Sequence, residues 1–178
     1  MNSALIATSS KQNKMIKLAI VEENNEVRSS ISSVAGQYGF SCTQIYSTAV
    51  EAITFLPRNP PDVVLVDINL PHSSGIIAIK TLKQLLPNVE FCTFSRYEES
   101  QNIYESLKVG ATGYILKETS LDEIFASLKI LHLGGTQISP TLARKLIEQF
   151  RLKPLQAVRW NYSSYSTPDS TTKKLRSY

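Results

Sequence analysis

The chain has 178 residues, 42% of them apolar and 19% charged, with a formal net charge of +4. This balance suits one domain with a real core and some excess chain, and it excludes a wholly disordered protein. No apolar run approaches the ~20 residues of a membrane-spanning helix, and the only apolar patch before Met15, Ala4-Leu5-Ile6-Ala7, is too short for a secretory signal, so a cytoplasmic protein with no membrane partner is expected. The positive charge is local. Residues 153–178 carry Lys153, Arg159, Lys173, Lys174 and Arg176 against Asp169, which accounts for all of it. Residues 1–152 are neutral and offer no basic surface to nucleic acid.

Residues 1–15 are expected to form a flexible arm. Strand-like and helical patterns then alternate. Lys17 to Val21 reads as a first strand, and Asn25 to Tyr38 as a helix with Val27, Ile31, Val34 and Tyr38 on one face. Ser41 to Tyr46 is a second strand and Thr48 to Leu56 a helix. Asp62 to Val66 reads as a third strand, whose continuous apolar run Val63-Val64-Leu65-Val66 suits a central parallel strand covered on both faces. Gly75 to Leu86 is helical, with Pro87 as its stop. Glu90 to Phe94 is a fourth strand, and Glu98 to Val109 a helix closed by Gly110. Thr112 to Leu116 is a fifth strand. Leu121 to His132 is a helix with Leu121, Ile124, Phe125, Leu128 and Leu131 facing inward, and His132 suits its negative end.

Such alternation predicts an α/β fold: a five-stranded parallel sheet with helices on both faces and the flavodoxin-like order 2-1-3-4-5. One unit spans residues 16–134. An additional helix is expected within 135–152, with Ser139 as its cap and Pro140 in its first turn. Residues 153–178 lose helical periodicity and are expected to be a basic, disordered tail. Cys42 and Cys92, the only cysteines, are expected as buried free thiols on strands that are not neighbours. His72 is expected to be a structural or solvated loop residue.

In this fold, ligands bind beyond the C-terminal ends of the strands. Those ends carry Glu22-Glu23, Asp67, Ser95 and Lys117. Three carboxylates close together require a cation, and oxygen donors on a polar edge suit Mg²⁺. A lysine and a hydroxyl at the same edge match the equatorial oxygens of a phosphoryl group. The pattern therefore points to phosphoryl transfer onto a carboxylate.

From Ile16 to Leu131 the chain resembles the receiver domain of bacterial two-component response regulators. The resemblance rests on Leu18-Ala19-Ile20-Val21-Glu22-Glu23-Asn24, on Asp62-Val63-Val64-Leu65-Val66-Asp67-Ile68-Asn69-Leu70-Pro71 with Gly75, and on Gly110-Ala111-Thr112-Gly113-Tyr114-Ile115-Leu116-Lys117. The non-proline after Lys117 and the segment Ile138-Ser139-Pro140 are similar to the NarL/FixJ subfamily. Its members usually append a helix-turn-helix, for which the last 26 residues show no pattern. The resemblance implies that Asp67 takes a phosphoryl group from a sensor histidine kinase or phosphotransfer protein. It implies that Glu23, Asp67 and the backbone carbonyl of Asn69 hold Mg²⁺, with Glu22 acting through water. Lys117 and Ser95 would bind the phosphoryl group and Tyr114 would change rotamer in response. The chain would then catalyse only its own phosphotransfer and dephosphorylation. The family usually has Asp in at least one acidic position; here both are Glu.

Three alternatives differ in kind. A haloacid-dehalogenase-like phosphatase also uses a strand-end Asp, but it needs a second acid two residues later, where Asn69 stands, and its nucleophile ends the first strand. A pseudo-receiver would keep the fold as a binding module with weakened chemistry. The chain could also be the receiver half of a transcription regulator that lacks its DNA-binding domain. Homodimerisation is compatible with all of these, and sequence-specific DNA binding by this chain is not expected.

Overall fold

A computed structural model describes residues 14–152. The flexible arm and the basic tail expected from the sequence lie almost wholly outside the described residues, as does the part of the chain on which the DNA-binding expectation rests.

In chain order the elements are β1 (Ile16–Val21), α1 (Asn25–Val34), β2 (Phe40–Tyr46), α2 (Ala49–Phe55), β3 (Val63–Asp67), β4 (Asn69–Leu70), β5 (Ser73–Ser74) and α3 (Gly75–Leu85). They continue with β6 (Glu90–Ser95), α4 (Ser100–Lys108), β7 (Gly113–Leu116), α5 (Leu121–His132), β8 (Gln137–Ile138) and α6 (Pro140–Leu152). The main sheet is parallel with order β2-β1-β3-β6-β7-β8. The five long strands keep the expected order, and β8 adds a sixth. Past α5, Gly134 adopts a left-handed φ of 83° and turns the chain back beside β7. The residues from 135 to 152 are therefore a strand and a helix, not a helix alone. β4 and β5 form a separate antiparallel ribbon.

Alternation along the strands divides the core. Ala19, Val21, Val64, Val66 and Phe91 pack against Ala52, Ile79 and Leu82 of α2 and α3. Leu18, Ile20, Val63, Leu65 and Phe94 pack against Ile31, Phe125 and Leu128 of α1 and α5. Each strand thus buries both faces, as a doubly covered parallel sheet requires. The helix from Asn25 ends as α1 at Val34 and tightens into a 3-10 turn at Ala35–Tyr38 before left-handed Gly39. Helix starts follow their caps. Asn24 accepts from the Glu26 and Val27 amides, Thr48 and Glu51 form a capping box, and Ser120 accepts from Glu123.

The sixth helix is docked rather than pendant. Leu142 is 1% exposed and packs with Ile68, Ile103 and Tyr114. Lys145 pairs with Glu98, and Phe150 meets Tyr104 edge to face. The Ser139 hydroxyl accepts from the Leu142 amide, the cap that Ser139-Pro140 predicts. Cys42 and Cys92 are free thiols on β2 and β6, strands separated by two others.

Candidate functional site

Parallel register places four strand ends on one edge. Val21 pairs with Val66, Asp67 with Phe94, and Ser95 with Leu116. Glu22 and Lys117 each follow immediately, so Glu22, Asp67, Ser95 and Lys117 are carried to one edge. The Lys117 amide donates to the Ser95 carbonyl at 2.8 Å, and the Glu22 amide to the Tyr46 carbonyl at 3.0 Å. These bonds extend the ladders just far enough to fix the base of each side chain.

Lys117 joins the acids. Its Nζ donates to Glu22 Oε2 at 2.5 Å and to Asp67 Oδ2 at 2.8 Å. Glu22 is 1% exposed, Asp67 3% and the Lys117 side chain 11%. The remaining oxygens are also held. The Asn24 amide donates to Glu22 Oε1 at 3.0 Å and the Asn69 amide to Asp67 Oδ1 at 3.0 Å. Two carboxylates and one ammonium leave a net charge of −1 in a buried place, an arrangement that attracts a further cation.

Glu23 is exposed and stands apart from Glu22 and Asp67, and among the described residues no three acidic, histidine or cysteine side chains cluster. The peptide after Glu22 turns outward into the Asn24-capped start of α1, so adjacent side chains diverge. Glu22 faces Lys117; Glu23 stands with Asn69, Pro71 and Ser74 on the wall of a cleft of about 470 Å³. Glu22 directs one carboxylate oxygen to Lys117 and accepts the Asn24 amide on the other.

Ser95 and Tyr114 lie behind the acids. Ser95 is fully buried, and its hydroxyl accepts from the Tyr97 amide at 3.1 Å. The Tyr114 hydroxyl donates to the Tyr97 carbonyl at 2.7 Å. Burial pushes the Tyr114 phenol upward, only partly opposed by a hydrogen bond with Ser95, so it remains a protonated donor. Tyr114 is 2% exposed and packs against Leu142. It is a core residue and a neighbour of the site at once.

Three contributors do not stand out among the strand ends. Arg28 on α1 donates to the carbonyls of both Glu22 and Glu23. Gly75 opens α3 so closely behind Asp67 that a Cβ there would lie 1.9 Å from the Asp67 carbonyl oxygen. His72 takes a left-handed φ of 61° in the turn after Pro71, which shapes the cleft wall and fits the structural reading of this histidine. Gly75 is part of a family motif, whereas its steric cause is tertiary. The Pro71-His72 pair signals only a turn.

The response regulator receiver domain model matches residues 18–129, and the chain belongs to that family. It is thus a receiver domain of the two-component type. Relatives include the transcriptional regulatory protein DegU of Brevibacillus brevis, 29% identical over 76% of this chain and 58% of that protein. LnrK of Bacillus subtilis (strain 168), also a transcriptional regulatory protein, is 29% identical over 77% of this chain and 63% of its own length. The chain therefore spans about three-fifths of these relatives. Among solved structures, a LuxR-family two-component response regulator from Aurantimonas sp. SI85-9A1 has a TM-score of 0.71 at 22% identity, covering 78% of this chain and 99% of that one. The NarL receiver domain from Mycobacterium tuberculosis has a TM-score of 0.63 at 18% identity, over 68% and 98% of the two chains. At these identities the structural likeness shows the fold.

Proposed function

We propose that Asp67 accepts a phosphoryl group from a histidine kinase or phosphotransfer protein and that the resulting acyl phosphate switches the surface formed by α4, β7 and α6. The observation that carries this reading is the Lys117 bridge between buried Asp67 and Glu22 at the strand-end edge. This reading assigns the reaction to the cytoplasm. Separately, among the described residues no helix is long and apolar enough to cross a membrane.

An Asp67 carboxylate oxygen forms the new P–O bond as the donor's P–N bond breaks, and the electron pair stays on the imidazole nitrogen. Lys117 then exchanges part of its carboxylate contact for a phosphoryl oxygen and offsets the charge that arrives. Ser95 gives up the Tyr97 amide and donates its hydroxyl to the same group. Tyr97 carries the Tyr114 hydrogen bond, so this exchange disturbs the loop between β6 and α4.

The donor set is all oxygen and fits a hard cation. Asp67, Glu23 and the Asn69 carbonyl would hold Mg²⁺, with Glu22 as a water-bridged neighbour. Bound Mg²⁺ supplies electrostatic compensation for the phosphoryl oxygens. The outward Glu23 and the Glu22–Lys117 pair favour one second reading, a pseudo-receiver whose chemistry is weakened. Incubation with acetyl phosphate and Mg²⁺, followed by intact mass, separates the two. One added phosphoryl group, absent from Asp67→Asn, supports the switch. No addition, or an addition that survives Asp67→Asn, removes Asp67 as acceptor.

A further inference from the structure

The acidic loop is held from the side by Arg28. Its Nη1 donates to the Glu22 carbonyl at 2.5 Å and the Glu23 carbonyl at 2.7 Å, and Nη2 donates to Asn25 Oδ1 at 3.3 Å. The Arg28 amide closes the first turn of α1 onto the Asn24 carbonyl at 3.1 Å. The guanidinium is therefore tied to the helix at its base and grips the preceding loop at its tip. One guanidinium nitrogen thus serves both carbonyls while the second holds Asn25, a rigid fork that an ammonium reproduces only in part. The loop it grips is the one in which successive glutamates diverge, Glu22 inward to Lys117 and Glu23 outward to the cleft.

We propose that Arg28 is a positioning residue for the cation-binding edge. By fixing the two carbonyls it fixes the peptide planes on either side of the Glu23 Cα, and so the direction in which the Glu23 carboxylate is presented on the cleft wall that it shares with Asn69. This deepens the phosphoacceptor reading and rests on it for the identity of the cation. Two effects of the side chain oppose each other. Its positive charge near the acids repels a divalent cation. Its hydrogen bonds hold the ligand-bearing loop in place, and outer partners of this kind govern metal affinity by one to two orders of magnitude. A lone charge at this position would weaken Mg²⁺ binding; a clamp strengthens it. The sign of the substitution effect therefore discriminates.

The test is calorimetric titration of the full chain with MgCl₂, without phosphodonor, on wild type, Arg28→Ala and Arg28→Lys. Arg28→Ala is expected to bind Mg²⁺ about tenfold more weakly. Arg28→Lys should recover part of the loss, because one ammonium can donate to both carbonyls. If Arg28→Ala does not fold, Arg28→Gln takes its place, since its short amide cannot reach both acceptors. Equal or tighter Mg²⁺ binding by the Ala or Gln variant overturns the proposal, as does a Lys variant no better than Ala, or a wild type that binds no Mg²⁺. Acetyl phosphate labelling of the wild type is read separately. Labelling on Asp67 with Mg²⁺ affinity indifferent to residue 28 sinks the clamp alone; Mg²⁺ affinity that follows residue 28 without labelling sinks the phosphoacceptor reading alone.

Discussion

Lys117 Nζ lies 2.8 Å from Asp67 Oδ2 and is the shared donor to Asp67 and Glu22, two carboxylates otherwise sealed from solvent. A solvated lysine at a strand end would be dispensable for folding, but this one is buried between the two acids. Removing one partner from a buried ionic group leaves the others unpaired, which costs about 3 kcal/mol or more.

Lys117→Ala should therefore be destabilised by about 3 kcal/mol in metal-free buffer, and Mg²⁺ should restore part of the loss by taking over as the compensating cation. Urea unfolding with EDTA and with Mg²⁺ measures both. A variant as stable as wild type in EDTA would mean that the acids relax into water when the lysine leaves.

Gly75 should not tolerate a methyl group. A Cβ would sit 1.9 Å from the Asp67 carbonyl oxygen and 2.8 Å from its carbon, and backbone atoms cannot rotate away. Gly75→Ala should lose about 3 kcal/mol and take phosphate more slowly, because the shift falls on Asp67 itself. Stability within experimental error of wild type would show that α3 can start further from β3.

The docking of α6 should depend on its apolar contact far more than on its ion pair. Leu142→Ala removes a fully buried side chain at a cost of about 3 kcal/mol. Lys145→Ala breaks a half-exposed pair worth about 0.5 kcal/mol. Hydrogen exchange of the α6 amides should accelerate strongly in the first variant and slightly in the second. The reverse order would assign the docking to charge.

Both thiols should be inert in the native state. Burial pushes the Cys42 thiol up to about 11 and the fully buried Cys92 thiol further. At pH 8 the Cys42 thiolate is then about one part in a thousand. Because folding favours the protonated thiols, their contribution is intact below pH ~9 and is lost as pH rises through the folded values. Iodoacetamide at pH 8 should label both cysteines only after unfolding. Rapid native labelling of Cys42 would show that β2 opens at the sheet edge.

Periodicity and turn chemistry act locally, so the sequence reveals most of the elements. The helix from Leu121 to His132 has the same bounds in the structure, and the expected strand order holds for β2, β1, β3, β6 and β7. The two residues of β8 are too few for a periodic signal, and only pairing with Gly113 and Tyr114 makes them a strand. The switch from α1 into a 3-10 turn leaves the apolar face unchanged, so periodicity carries it through to Tyr38.

The site divides in the same way. The sequence by itself determined which residues end the strands, because a parallel sheet with right-handed crossovers brings those ends together whatever the loops do. Glu22, Asp67, Ser95 and Lys117 are legible on that ground. Only the tertiary structure decided how neighbouring residues share the work. Glu22 and Glu23 are chemically identical, and a one-residue advance around the start of α1 sends one inward to Lys117 and the other outward to the cleft. The same folding brings Arg28 onto their carbonyls and Gly75 behind Asp67. Direction and proximity at that scale depend on backbone torsions and packing, which residue types and spacing do not encode.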